Sequence, residues 1–267
     1  MIDRRTATSL CIAAVLSACS RTAPAGELRS PPTTLAIPQV ANHAIPAAAA
    51  WTRTAAAGWT HLHAPGPTDV YLHGGRAYQL VRAQVSYGGP VVAPYLLDVT
   101  GTFSGAAGAR AATGPAGAAY PRPGTAVLSA DSGTQHTLDV VFSDRGSVKT
   151  LRDYTGPKAV LVFEHECIGC RMEIAQIRAL ALFARRANGV VVVATSARKR
   201  RVSDDLAKAG IDAPVVLDDR NSLYALLDVG RVPLGYFLSR DGRILDTSIG
   251  NLDDREVTRL ANEIAAR

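Results

Sequence analysis

Cysteine, charge and long apolar runs are all scarce in this 267-residue chain, and each shortage removes a class of answer. Charged residues make up 19% and hydrophobic ones 47%, which excludes a wholly disordered or highly charged chain and leaves most soluble fold classes open. No apolar stretch in the N-terminal region approaches the ~20 residues that a membrane-spanning helix needs; residues 10–16 run into polar Ser20 and Arg21 within a few positions. The net charge is only +6. Arg198, Lys199, Arg200 and Arg201 do cluster, but no aromatic side chains are interleaved to stack on bases, so the cluster reads as a solvated loop and no nucleic acid is expected. Histidine is absent after His165, which removes a distant imidazole from any metal site further along the chain.

The four cysteines fall into two unrelated pairs. Cys11 and Cys19 lie in a leader: Arg4 and Arg5 give a positive start, residues 10–16 an apolar middle, and Ser17 and Ala18 the small residues before a cleavage point. Leu16-Ser17-Ala18-Cys19 resembles the lipobox of bacterial lipoproteins. That resemblance implies removal of 1–18, lipid on the Cys19 thiol, and attachment to a bacterial membrane in the cell envelope, on its extracytoplasmic face. Each buried acyl methylene contributes ~0.8 kcal/mol, so several chains on one cysteine would make the attachment essentially permanent. Cys167 and Cys170 are then the only thiols left for redox or metal chemistry.

Residues 19–58 read as an Ala/Pro-rich tether, with Pro24, Pro31, Pro32, Pro38 and Pro46 breaking any long helix. Such a segment reaches ~120 Å extended or ~35 Å as a coil, enough to lift a domain clear of a membrane. Residues 59–130 read as a small β-rich module of no assignable function. Its strand-like runs are 69–72, 76–87 and 91–103, separated by Gly74-Gly75 and Gly88-Gly89-Pro90, and 105–117 reads as a flexible Gly/Ala loop. His61, His63 and His73 fall in this module. His-x-His can offer two imidazoles to a metal, but no third and fourth ligands stand nearby in sequence, so all three are read as surface or packing residues and no cofactor is expected.

From 134 to 267 strands and helices alternate. A hairpin around Asp144-Arg145-Gly146 precedes the fully apolar run 159–163, a buried-strand candidate. A helix over 170–185 follows, with an apolar face of Ile174, Ile177, Ala181 and Ala184, and then a second buried strand at 190–194. Ser203 can cap a helix ending at Gly210; a strand at 214–217, a helix at 221–228, a hairpin across Arg240-Asp241-Gly242 and a last amphipathic helix from Asn251 or Asp253 complete the order. This pattern predicts an α/β fold with a mixed sheet covered by helices on both faces.

Glu166-Cys167-Ile168-Gly169-Cys170 stands where the first buried strand meets the first helix. Two cysteines three apart on a first helical turn have Cβ atoms ~5 to 6 Å apart, so a small adjustment closes a disulfide, and the free amides of the helix end stabilise a thiolate. In that geometry the first cysteine faces outward and the second lies a turn inward.

Cys-x-x-Cys at a strand-to-helix junction, with Val232-Pro233 ahead of a strand some sixty residues later, resembles the thioredoxin superfamily. The lead-in ending in Leu151-Arg152-Asp153-Tyr154-Thr155-Gly156, the run Cys170-Arg171-Met172-Glu173, and the inserted strand and helix at 214–228 are similar to the membrane-anchored TlpA-type oxidoreductases over about 134–267. The resemblance implies Cys167 as attacking thiol, Cys170 as resolving thiol, Pro233 after a cis bond beside the sulfurs, and Glu173 as an acid that tunes the site. It also implies protein thiol or disulfide substrates and a membrane electron-donor protein, since TlpA-type relatives are mostly reductants. Glu166 departs from the usual Trp, and Ile168-Gly169 from a pair that commonly ends in Pro. Glu164, Glu166 and Glu173 place negative charge near a forming thiolate, each worth ~1 kcal/mol at a solvated site, opposing the helix end. Two other classes of function stand beside this one: capture of copper or zinc by His165, Cys167 and Cys170, and a non-catalytic adaptor on a thioredoxin-like scaffold.

Overall fold

The computed structural model describes residues 35–36, 45, 51–64, 68–86, 90–105, 110–111, 120–129, 134–135, 137–250 and 252–265. The expected leader 1–18, Cys19 and most of the expected tether lie outside the described residues. The chain divides into 1–30 and a compact unit 31–267, and it is the second that carries the architecture below. Among the described residues no helix is long and apolar enough to cross a membrane.

The strands begin with β1 (Leu35–Ala36), β2 (Thr52–Ala56), β3 (Trp59–Ala64), β4 (Thr68–His73), β5 (Arg76–Ser86), β6 (Pro90–Asp98), β7 (Arg110–Ala111), β8 (Ala126–Leu128) and β9 (Thr134–Gln135). β10 (Asp139–Asp144) and β11 (Ser147–Thr150) form the lead-in hairpin, closed by a 3-10 turn at Leu151–Asp153. Then come β12 (Lys158–Val162), α1 (Ile168–Met172), α2 (Ile174–Arg186), β13 (Val190–Thr195), α3 (Lys199–Lys208), β14 (Val215–Leu217), α4 (Ser222–Leu226), β15 (Leu234–Leu238), β16 (Ile244–Ile249) and α5 (Asp254–Ala265).

The C-terminal sheet runs β14-β13-β12-β15-β16, parallel across β14, β13 and β12 and antiparallel at β15 and β16. This is a thioredoxin-like fold. The steps from β12 to β13 and from β13 to β14 move the same way across the sheet, so right-handed crossovers place α2 and α3 on one face. There Leu161, Phe163, Val191, Val193 and Phe237 bury against Ile177 and Leu180 of α2, Val202 and Leu206 of α3, and Val257 and Leu260 of α5. Burial of each such side chain contributes roughly 1.5 to 3 kcal/mol.

The opposite face departs from the expected helical cover. Val160, Val162, Val192, Ala194 and Tyr236 share one core with Val81, Ala83, Tyr95, Leu128, Val140 and Phe142 from the N-terminal half, and only the short α4 joins them from the helical side. The covering layer is a nine-stranded sheet, β11-β10-β8-β6-β5-β4-β3-β2-β7, into which the lead-in hairpin is hydrogen-bonded through the β8–β10 pairing. A strand such as β12, buried at every position and apolar after Lys158, needs both faces covered, and a second sheet supplies the cover as well as a helix would.

Polar contacts stitch the two layers. Buried Ser222 at the start of α4 donates its hydroxyl to Pro94 O (2.8 Å) and accepts from Ala126 N (3.1 Å). Gly124 (φ +96°) lies so near β14 that a Cβ there would be 2.7 Å from Leu217 O, a close approach that only glycine permits.

Several boundaries shift from expectation. β2 lies inside the stretch read as tether, joined to β3 by Ala57 (φ 52°) and Gly58 (φ 81°), two consecutive left-handed residues of a tight hairpin without its usual Asn-Gly signature. β7 sits within the run read as a Gly/Ala loop. α3 begins four residues before Ser203, with Arg198 (φ 53°) at its start, so the basic cluster is a helix's first turn rather than a loop and Ser203 is internal.

Trp51 and Trp59 are the chain's two tryptophans and both report the nine-stranded sheet. Ser222→Ala, made on α4, should lower stability by about 1 to 3 kcal/mol by leaving the Ala126 amide without its acceptor. Urea unfolding followed by tryptophan fluorescence and by far-UV circular dichroism should shift together; a fluorescence midpoint that stays put while the dichroism midpoint falls would show that the layers unfold separately.

Candidate functional site

β12 delivers its last residues, wholly buried, to the edge where the chain turns outward through Glu164, His165 and Glu166. Cys167 N donates to Glu164 O (3.1 Å), closing this turn, and Cys167 becomes the N-cap of α1 with extended φ −78°, ψ 112°. Its sulfur accepts from Cys170 N at 3.0 Å, the kind of contact that stabilises negative charge on sulfur when the pair is reduced. Cys167 and Cys170 form a disulfide with Cα atoms 5.2 Å apart. Cys167 is half-buried and Cys170 fully buried, the outward-inward order that the spacing predicted.

Val232-Pro233 is a cis peptide bond, Pro233 is buried, and Val232 O lies 3.8 Å from Cys167 Sγ. Thus residues 65 positions apart meet because β15, which follows Pro233, pairs antiparallel with β12, which precedes the cysteines. Around them Ile168 and Met172 are 70% and 65% exposed, an apolar rim on the outer side of α1.

The expected single helix is in fact two, α1 and α2, that meet at Glu173 (φ −87°, ψ 1°). Glu173 is 5% exposed and accepts from Leu252 N at 2.7 Å, tying this bend to the segment ahead of α5. Burial pushes its carboxyl up to about 7, against the Leu252 hydrogen bond and helped by Glu256. Cys170 and Glu173 are three apart and both buried, so they are neighbours on the inner side of the turn.

The other two acids near the cysteines each have a partner. Glu166 pairs with Arg198, whose left-handed backbone starts α3. Glu164 accepts from Thr195 Oγ1 (2.9 Å), Ser196 N (2.7 Å) and the Tyr224 hydroxyl. Burial, and after it the bond to Glu164, hold that Tyr224 hydroxyl well above the ordinary phenol range. The negative charge expected at 164 and 166 is thus met by partners from β13, α3 and α4. His165 Nδ1 lies 2.6 Å from Asp205 Oδ2, so its ring is engaged with α3, and among the described residues no cluster of three metal donors includes Cys167 or Cys170. A cleft of about 350 Å³, bordered by Asp153, Tyr154 and Arg185, contains no residue of the cysteine site.

No protein-family profile and no curated protein matches the chain. Solved structures do. The thioredoxin domain of a thiol-disulfide oxidoreductase from Bacteroides vulgatus is 13% identical and aligns 49% of this chain with 96% of its own, TM-score 0.42. StoA from Bacillus subtilis is 19% identical (46% and 94%, TM-score 0.38), and the peroxidoxin BcpB from Mycobacterium tuberculosis 17% (49% and 95%, TM-score 0.41).

Because the Glu173 pKa is raised on folding, its contribution to stability is full below about 4.5 and is lost as pH rises through about 7. Glu173→Gln keeps an oxygen for the Leu252 amide and cannot ionise. In urea titrations of the oxidised protein it should match the parent near pH 4.5 and exceed it by roughly 2 to 3 kcal/mol at pH 8. Equal stabilities at pH 8 would refute burial of a titrating carboxyl.

Proposed function

We propose that this chain is an exported, membrane-tethered thiol-disulfide oxidoreductase of the TlpA type, working on protein disulfides and more as a reductant than an oxidant. The observation that carries this reading is the Cys167–Cys170 pair at the head of α1, with the carbonyl ahead of cis-Pro233 3.8 Å from Cys167 Sγ.

In the reduced protein the half-buried Cys167 thiolate attacks one sulfur of a substrate disulfide. A mixed disulfide forms, and the other substrate sulfur leaves as a thiolate that takes up a proton. Cys170, deprotonated, then attacks Cys167 Sγ, releasing the second substrate thiol and closing the Cys167–Cys170 disulfide. Two electrons pass from the pair to the substrate. Glu173, with a carboxyl near neutrality and one turn from Cys170, is suited to take the Cys170 proton. The Val232 carbonyl and the apolar rim of Ile168 and Met172 suit an extended, partly apolar peptide lying across Cys167. A negative Glu173 disfavours the thiolate form of the pair and so favours its disulfide, which is the direction of a reductant; ~30 mV corresponds to ~1.4 kcal/mol. A membrane electron-donor protein would return the two electrons.

The division of labour between the sulfurs is testable in cell envelopes. Cys170→Ser should accumulate mixed disulfides with protein partners that dithiol reductant dissolves, while Cys167→Ser accumulates almost none and either change abolishes disulfide reduction. Cys167 in the reduced protein should alkylate on the order of tenfold faster than Cys170 or more. If neither variant traps partners and the parent protein turns over no disulfide substrate, the adaptor reading replaces this one.

The tether rests on Leu16-Ser17-Ala18-Cys19. Labelled fatty acid should enter the full-length protein at Cys19, and Cys19→Ala should leave it unlabelled and extractable by salt or carbonate. Unchanged labelling in that variant would remove the anchor from the proposal and leave the thiol chemistry standing.

A further inference from the structure

β3 and β4 pair so that His63 stands opposite Asp69 and His61 opposite Tyr71. His61 and His63 are two apart on one strand and therefore share a face of the sheet. Across it, His61 Nε2 lies 2.7 Å and His63 Nδ1 2.9 Å from the same Asp69 oxygen, Oδ1. Among the described residues this is the one group of three His, Cys, Asp or Glu donors whose ligand atoms all lie within 4.8 Å of one another. We propose that His61 Nε2, His63 Nδ1 and Asp69 Oδ1 form a binding site for a divalent transition ion of the zinc class, with the remaining coordination position open to solvent.

The geometry needs little change to accept the ion. Metal–nitrogen and metal–oxygen bonds of ~2.0 to 2.2 Å at tetrahedral angles set donor atoms ~3.3 Å apart, so the pairs now at 2.7 and 2.9 Å must separate by roughly half an ångström, within reach of side-chain rotation. The backbone register already brings the donors together. His61 is buried and stacked on Tyr71, ring centroids 4.7 Å apart and planes 12° from parallel, which fixes one ligand before any ion arrives. The His63 side chain is 49% exposed and that of Asp69 25%, so the ion would enter from that side and keep a water or another donor there. The two ring nitrogens that now meet Asp69 would each give up any proton they share with it on binding the ion, so the ion takes the place of the hydrogen bonds that hold the three side chains together.

Two nitrogens and one oxygen are a borderline donor set. Calcium and magnesium call for all-oxygen shells, whereas imidazole suits zinc, copper and nickel. Three protein ligands and one open position also differ from the closed four-ligand shell of purely structural zinc sites. The site is carried by the N-terminal sheet and does not depend on the chemistry of Cys167 and Cys170.

Zn(II) titrated into the purified, detergent-solubilised full chain, with Cys167 and Cys170 oxidised so that no thiolate competes, tests the proposal by calorimetry and by competition with a chromogenic chelator. One equivalent should bind, and Ca(II) in excess should not displace it. His63→Ala and Asp69→Asn should each weaken binding by more than the ~10-fold that loss of even an outer-shell partner costs, and His165→Ala should leave it unchanged. His63 is exposed, so its variant keeps the test valid if Asp69→Asn fails to fold. Zinc absorption spectra should show two imidazole nitrogens in the parent and one in His63→Ala. Binding that survives His63→Ala, binding that is lost in His165→Ala, or displacement by Ca(II) would overturn the site.

Discussion

The two-sided apolarity of β12 and β13 is the constraint on which the rest of the molecule depends. Val160, Val162, Val192 and Ala194 point one way, and Ala159, Leu161, Val191 and Val193 the other. One set is met by α2, α3 and α5. The other set must also leave water, and Tyr95, Phe142, Leu128 and Val81 of the N-terminal sheet meet it. Ser222 and Gly124 are positioned by that packing and could not make their contacts to the other layer without it. The N-terminal region is thus the second wall of the thioredoxin-like core as well as a unit with features of its own.

Placing a sheet on that wall leaves the cysteine edge free. The chain reaches Cys167 at the end of a strand whose backbone is held on both sides, by β13 in parallel and by β15 antiparallel. β15 is also the strand that Pro233 precedes, so one ladder sets the separation between the sulfur and the Val232 carbonyl. Arg198 reaches Glu166, and Asp205 reaches His165, because α3 starts early and passes beside the turn. A side chain on this edge is therefore placed by elements that lie 30 to 65 residues away in sequence, so the partners of its charges are not visible along the chain.

What could be read from the sequence follows the range of the interactions involved. The apolar run 159–163, the second run 190–194 and the Cys-x-x-Cys junction are local patterns, and each is found within a residue or two of its expected place. The bend at Glu173 was hidden because helical periodicity continues through it. β2 was hidden because Thr, Arg and Ala at an outlying strand resemble tether residues, and its Ala57-Gly58 turn lacks the usual signal. Asp69 becomes a partner for His61 and His63 only once β3 and β4 are in register, which no local pattern in the sequence announces. The sheet on the far side of β12 was not legible at all: a fully apolar strand says that both faces are covered, not by what.

The turn that closes the lead-in hairpin is tied by charge to a distant strand of its own nine-stranded sheet. His73 Nδ1 meets Gly58 O and Nε2 meets Asp153; a carbonyl and a carboxylate both accept, so both ring nitrogens carry protons. Burial works against that charge, yet the Asp153 and Gly58 bonds outweigh it and leave the His73 pKa above its ordinary 6.5. Asp153 is likewise opposed by burial, and the bonds from His73 and Thr150 N leave it below its ordinary 3.8. The raised base contributes fully below 6.5 and loses its contribution as pH rises through its folded value; the lowered acid contributes above 3.8 and loses it on acidification. Both are therefore in force together between about 4 and 6.5. Asp139, beside Arg152, and Asp218 below α4 are each pushed up to about 6 by burial, and so cost stability as pH rises from their ordinary 3.8 to about 6. His73, Asp153 and Asp139 lie within the nine-stranded layer and Asp218 beside β14 in the other, so these groups tune the polar contacts inside each layer, whereas the apolar core that joins the layers has no pH dependence of its own.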